Sequence, residues 1–135
     1  MGARSKARKR ALDLLYGADV RGESIVSAIA TEEGRAAKDP RPSWEYAREI
    51  AQGVHAHAAE IDELIETYAQ GWSIARMPTI DRALVRIGIW EIVFNDEVPD
   101  GVAISEAVAS ARSLSTDDSA GFINGLLGRI AATRA

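Results

Sequence analysis

Trp44, Ala47, Ala51, Val54, Ala58, Ile61, Ile65 and Tyr68 are separated by 3, 4, 3, 4, 3, 4 and 3 residues. This heptad-like stripe is the mark of one buried helix face, and it reads as core rather than as a seam for a partner helix. As a single rod the 25 residues would reach about 37 Å. That is too long for a chain of 135 residues, whose radius of gyration should be about 14 Å. A kink or break is therefore predicted near Ala58 to Ile61. Ser43 stands ahead of the stripe as an N-cap candidate. Before it, the run RAAKDPRP (35–42), with its two prolines, reads as a loop that follows a shorter helix around Ile25 to Glu32.

The helical period recurs along the rest of the chain and the strand period does not. Residues 80–94, behind Thr79 as a possible cap, are apolar nearly all round and predict a buried central helix: Ile80, Leu84, Val85, Ile87, Ile89, Trp90, Ile92, Val93 and Phe94. Val98 to Gly101 is a turn. Ile104, Ala107, Val108, Ala111 and Leu114 mark another amphipathic helix, with Ser105, Glu106, Ser110 and Arg112 on its wetter side. In the last segment Ile123, Leu126, Leu127, Ile130 and Ala131 form a core stripe, with Gly121, Gly125 and Gly128 roughly opposite. Three glycines in a helix forfeit on the order of 3 kcal/mol relative to alanine. A close approach on that face is expected, by a neighbouring helix or by a ligand. The fold class is all-α, one compact domain of about seven helices. At this length about two-thirds of the unfolded surface can be buried.

Charge divides the chain unevenly. Arg4, Lys6, Arg8, Lys9 and Arg10 crowd the first ten residues without an acid among them, although the net charge is −4, so the remainder carries −9. The basic segment leads straight into a stripe of Ala7, Ala11, Leu14, Leu15 and Ala18, so the first helix starts inside it. Lys6, Lys9 and Arg10 project away from the stripe, and Arg4 and Arg8 fall near its edge. Cations in a first helical turn face the positive end of the macrodipole, at roughly a few tenths of a kcal/mol each. Their concentration there points to an anion, nucleic acid first, over a merely solvated and frayed start.

Other chemistries find little support. With no cysteine there is no disulfide, thiolate zinc site or cysteine nucleophile, as suits a reducing cytoplasm. Asp13, Asp19 and Arg21 interrupt the first apolar run before signal-peptide length, and no run approaches a membrane span. His55 and His57, two apart, diverge by about 160° on a helix and cannot make an i, i+4 metal pair. They read as surface residues. Asp117 and Asp118 lack a third ligand for a metal, and no glycine-rich phosphate loop follows a strand. No catalytic residue, metal site or cofactor is assigned.

The arginine-rich opening, RALDLLYGADV, IDRALVRIGIWEI, VPDGVAISEAVASARSLSTDDS and GFINGLLGRI, in this order, resemble the NusB family of transcription antitermination factors. The match covers most of the chain, with residues 21–43 the least diagnostic. The last two motifs in tandem are its most specific part. The resemblance implies two packed helical subdomains acting as one RNA-binding domain over residues 1–135. It further implies binding of the boxA element of leader or ribosomal RNA transcripts together with NusE, a small-subunit ribosomal protein. Other Nus factors and RNA polymerase would join in the antitermination complex. Some ribosomal RNA cytosine methyltransferases open with a related domain, but no cofactor domain follows here, which argues against that use.

Carried over position by position, the resemblance makes Arg4, Lys6, Arg8, Lys9 and Arg10 the arginine-rich RNA-binding motif, and Asp118 and Phe122 base contacts. Cations grip phosphates without reading sequence, a carboxylate accepts only from base edges that donate, and an aromatic ring offers a stacking face. Asp118 has two roles open to it, N-cap of the last helix and base contact. Arg82 and Arg86 are weaker RNA candidates, with Asp81 a candidate ion-pair partner for them. Asp81 stands where the family often has glutamate and Trp90 where tyrosine is common. Without the RNA role the alternative is a helical protein-interaction module with a solubilising basic start. The oligomeric state is open between monomer and homodimer, because exposed apolar surface could serve a second copy, NusE, or each in turn.

Overall fold

Each apolar stripe winds into helix in the computed structural model, which describes Gly2 to Arg134 and holds no strand among those residues. Two compact units divide the chain, one ending at Ala56 and the other beginning at His57. The first contains α1 (Ala3–Arg21), α2 (Ile25–Lys38) and α3 (Ser43–Ala56). The second contains α4 (Ala58–Tyr68), α5 (Thr79–Ile89), α6 (Asp100–Leu114) and α7 (Asp117–Ala132). A 3-10 turn at Ile74–Arg76 precedes α5, and a π-helical segment, Trp90–Phe94, prolongs it.

In the first unit α1 packs chiefly on α3, and α2 touches both. Ala7 and Ala11 on α1 and Ala47 and Ala51 on α3 are fully buried, so small side chains bring the two helices together. Leu12, Leu14, Leu15, Trp44, Ile50 and Val54 fill the space around them. Gly22, at φ 67°, ends α1 in the left-handed conformation. Its N–H donates to the Asp19 carbonyl at 3.2 Å and the Glu23 N–H to the Ala18 carbonyl at 2.8 Å, a Schellman closure. The next helix begins behind Ser24, whose hydroxyl accepts from the Ser27 N–H at 3.1 Å.

That helix runs further than its sequence suggests. Arg35 to Lys38, read as loop, are the last turn of α2, and Arg35 donates to Glu32 across 2.7 Å. Alanine, arginine and lysine are good helix formers, and the winding stops only where Asp39 meets Pro40. Ser43 is the first residue of α3 rather than its cap, and its hydroxyl accepts from Arg10 at 3.2 Å.

The long stripe breaks at His57, one residue ahead of the predicted window, with φ −110° and ψ 22°. Ile61 and Ile65 stay fully buried while Ala58 is exposed. The two histidines separate here. His55 lies on the surface, but His57 stacks on Phe94 with ring centres 3.8 Å apart and shares a 3.0 Å hydrogen bond with Glu60.

Within the second unit α7 packs on α6, α5 and α4. Ile123, Leu126, Leu127 and Ile130 are all fully buried, and Ala131 is half-buried. A Cβ at Gly88 of α5 would lie 2.7 Å from a Leu127 methyl. The glycine that permits a close helix approach is therefore on α5. At Gly121 and Gly128 a Cβ would meet nothing within 4 Å, and at Gly125 only the Arg129 guanidinium, at 3.1 Å. The close approach expected on the α7 glycine face is not supplied by the described residues.

Three smaller expectations also change. Thr79 is the first residue of α5, and its hydroxyl accepts from Arg82 at 3.2 Å instead of capping. On α6 Ala103 joins the core and Leu114 is 45% exposed, because the helix ends there and turns away at Ser115. The turn before α6 is built on buried Asn95, whose side chain accepts from the Glu97 N–H at 3.1 Å. Asp100 and Gly101 already belong to the helix. Tyr68, read as core, is half-buried, and its carbonyl accepts from Arg129 at 3.1 Å.

Candidate nucleic-acid interface

The opening of α1 gathers the five cations of the sequence motif. Gly2 precedes the helix and offers no side-chain cap, and the first turn contains no acid. Lys6 and Lys9 are exposed and Arg8 is half-buried. Arg4 lies over the Tyr46 ring at 4.8 Å. Arg10, expected to project away from the stripe, is half-buried instead. It lies over the Trp44 ring at 5.4 Å and donates to Ser43. Rings on α3 thus hold both ends of the cationic row, which leaves each guanidinium with less freedom to lose when it meets an anion. Nearby, Arg48 bonds Glu33 at 2.9 Å and holds that carboxyl below the usual carboxylate range.

At the opening of α7 the cap is Thr116. Its hydroxyl oxygen accepts from the Ser119 N–H at 3.0 Å, so Asp118 is not the N-cap. Asp118 stays exposed in the first turn, beside Asp117. Phe122, one helical turn on, is half-buried, and the Trp72 ring tilts against it at 5.3 Å and 40°. Between them Ser119 donates to a carboxylate oxygen of Asp81 at 2.6 Å. Asp81 is 3% exposed, and its other oxygen is buried without a hydrogen-bond partner. Asp81 therefore ties the start of α5 to the start of α7 and is not the ion-pair partner expected of it.

The arginines of α5 are engaged elsewhere. Arg86 grips Asp62 with two hydrogen bonds, at 3.1 and 3.3 Å. Arg82 donates to Thr79 and to the Ile74 carbonyl. Both are half-buried within the second unit, Arg86 paired with a carboxylate and Arg82 donating to a hydroxyl and a carbonyl.

The sequence reading missed Trp72 and Ser119. Trp72 follows Gly71 in a linker outside every helical stripe, so periodicity gave no signal; a lone tryptophan beside glycine was the available hint. Ser119 could have been suspected only as part of the capping sequence S-T-D-D-S.

Among the described residues no three His, Asp or Glu side chains gather as a metal site. No described helix is long and apolar enough to cross a membrane. A helical protein with one cationic and one acidic, aromatic helix start has the make-up of a binding factor.

The model of the NusB family matches residues 5–132. A transcription antitermination protein NusB from Clavibacter michiganensis subsp. michiganensis is 66% identical over 137 aligned positions, covering 100% of both chains. Among solved structures, NusB of T. maritima superposes with a TM-score of 0.84 at 30% identity, covering 96% of this chain and 90% of that one. A structure of the antitermination factors NusB and NusE in complex with dsRNA gives a TM-score of 0.83 at 26% identity, covering 97% of each chain. The chain belongs to the NusB family of transcription antitermination factors, which is non-catalytic.

Proposed function

We propose that this protein binds boxA-type RNA of ribosomal RNA leader transcripts together with NusE, and so takes part in antitermination with other Nus factors and RNA polymerase in the cytoplasm. Residues 1–135 act as one RNA-binding domain. The observation that carries the reading is the opening of α1, where five cations gather on a helix start with neither cap nor acid. Arg4, Lys6, Arg8, Lys9 and Arg10 grip phosphates; Asp118 and Phe122 contact bases. Arg82 and Arg86, engaged internally, are secondary. The structural relative that contains NusB, NusE and dsRNA supports both partners.

Titration with boxA-type and scrambled RNA at several salt concentrations, with and without NusE, tests this. If all five cations neutralise phosphates, log K against log salt should slope at roughly −3.5 for single-stranded RNA. Arg8→Ala should weaken both RNAs alike, and Phe122→Ala mainly the boxA-type RNA. No preference between the two RNAs, even with NusE present, would overturn the proposal in favour of a helical protein-interaction module. Sedimentation of the same samples distinguishes monomer from homodimer.

A further inference from the structure

Trp72 is 46% exposed, while Trp44 and Trp90 are 6% and 5% exposed. A single exposed apolar side chain is ordinary; what sets Trp72 apart is that its ring lies against Phe122, the candidate base contact. The linker holds it in place: Gly71 turns the chain at φ 80°, and the Trp72 N–H donates to the Ala69 carbonyl at 3.0 Å. Its one ring neighbour described is Phe122, tilted at 40° rather than stacked flat, so the two rings form an open angle instead of closing on each other. Asp118 stands one turn before Phe122 and is exposed, and a Cβ at Gly121 would meet nothing within 4 Å. Planar faces at the opening of a helix whose first turn also carries an exposed acceptor suit an unpaired nucleobase.

We propose that Trp72 is a second stacking residue of the RNA site: an unpaired base lies on its exposed face, beside the base taken by Phe122. This rests on the RNA-binding reading above. Tryptophan loses little freedom when it binds, because only two torsions are frozen and the linker already fixes its backbone. Stacking also needs unpaired bases, so Trp72 serves single strands and not duplexes.

The test uses the full chain and the intrinsic emission of its tryptophans, of which Trp72 is the accessible one. Wild type, Trp72→Phe and Trp72→Ala are titrated with single-stranded boxA-type RNA, with a scrambled strand, and with a duplex of the boxA-type sequence. The single strand should quench the exposed emission of wild type, and the duplex should leave it unchanged. Trp72→Phe, which keeps a ring, should bind the single strand within about threefold of wild type. Trp72→Ala should lose roughly 5- to 150-fold, as expected for one stacked base. Thermal melts of the variants establish that each is folded. Wild-type binding without quenching, together with unchanged affinity of Trp72→Ala, would overturn the assignment. In a parallel titration with NusE, weakened binding by a Trp72→Ala protein whose affinity for the single strand is unchanged would overturn it too and make Trp72 a protein contact. If wild type binds none of the RNAs, the RNA reading itself falls and the Trp72 assignment falls with it.

Discussion

The first turns of α1 and α7 are built on opposite rules. α7 begins as helix physics favours: Thr116 caps it, Asp117 and Asp118 face the positive end of its dipole, and Ser119 is bonded to the buried Asp81. α1 begins against the same rules, with a bare Gly2 and cations in place of acids. The contrast separates two kinds of inference. Asp118 has a sufficient structural reason to be acidic, so its charge alone says little about RNA. The cations of α1 oppose the dipole of their own helix, so helix electrostatics gives no reason for them, and they carry the functional argument.

The comparison can be broken at either end. Neutralising all five cations should lower RNA affinity by about three orders of magnitude at 0.1 M salt and flatten the salt dependence. Neutralising only the two exposed lysines, Lys6→Gln with Lys9→Gln, should leave the melting temperature no lower than that of wild type. A marked loss of thermal stability would mean that the cations hold the fold and would erase the contrast. The converse holds for α7. Ser119→Ala leaves the Asp81 carboxylate buried without its hydroxyl donor and should destabilise the protein by about 1 to 3 kcal/mol, read from urea denaturation. Thr116→Ala should cost about 1 kcal/mol in the same measurement. A cap supplied to α1 by Gly2→Asp should add a few tenths of a kcal/mol while weakening RNA binding. Stronger RNA binding by that variant would contradict the assignment of the head as an anion site.

The smallest expected effect concerns acid. Glu33 is held below its ordinary pKa, first by the hydrogen bond from Arg48. A carboxylate of depressed pKa contributes its stability above its unfolded pKa and loses it as pH falls through the folded value. The difference in melting temperature between wild type and Glu33→Gln should therefore shrink on going from about pH 6 to below about pH 4. It should be slight throughout, because the pair is exposed. A difference that widens toward acid would reverse the sign and remove the pair from the account.

Where apolar side chains recur at helical spacing, the sequence was a reliable guide. Ile61, Ile65, Ile123 and Leu126 are buried as their stripes require, because burial of a helix face is written in one local period. Helix ends were less legible. Thr79 and Ser43 have the chemistry of caps, yet both lie inside their helices and accept hydrogen bonds from arginines instead. Those arginines are brought there by tertiary packing or by the next turn, which capping preferences do not encode. The cationic candidates of the first unit were visible in composition alone. The aromatic candidates of the second unit were only partly so, since the contact between Trp72 and Phe122 joins positions fifty residues apart. Asp81 shows the limit most clearly: beside Arg82 and near Arg86 it suggested an ion pair, but its partner is a serine of another helix.

The π-helical segment at Trp90–Phe94 has a consequence for the phase of the chain that follows it. A π turn spans one residue more than an α turn, as though a single residue had been slipped into a continuous helix. Ordinarily a one-residue deletion in a buried helix rotates everything after it by about 100° and strips the core of its side chains. The looser turn therefore sets the phase in which Asn95 and the approach to α6 leave the helix, one residue later than an unbroken α-helix would release them.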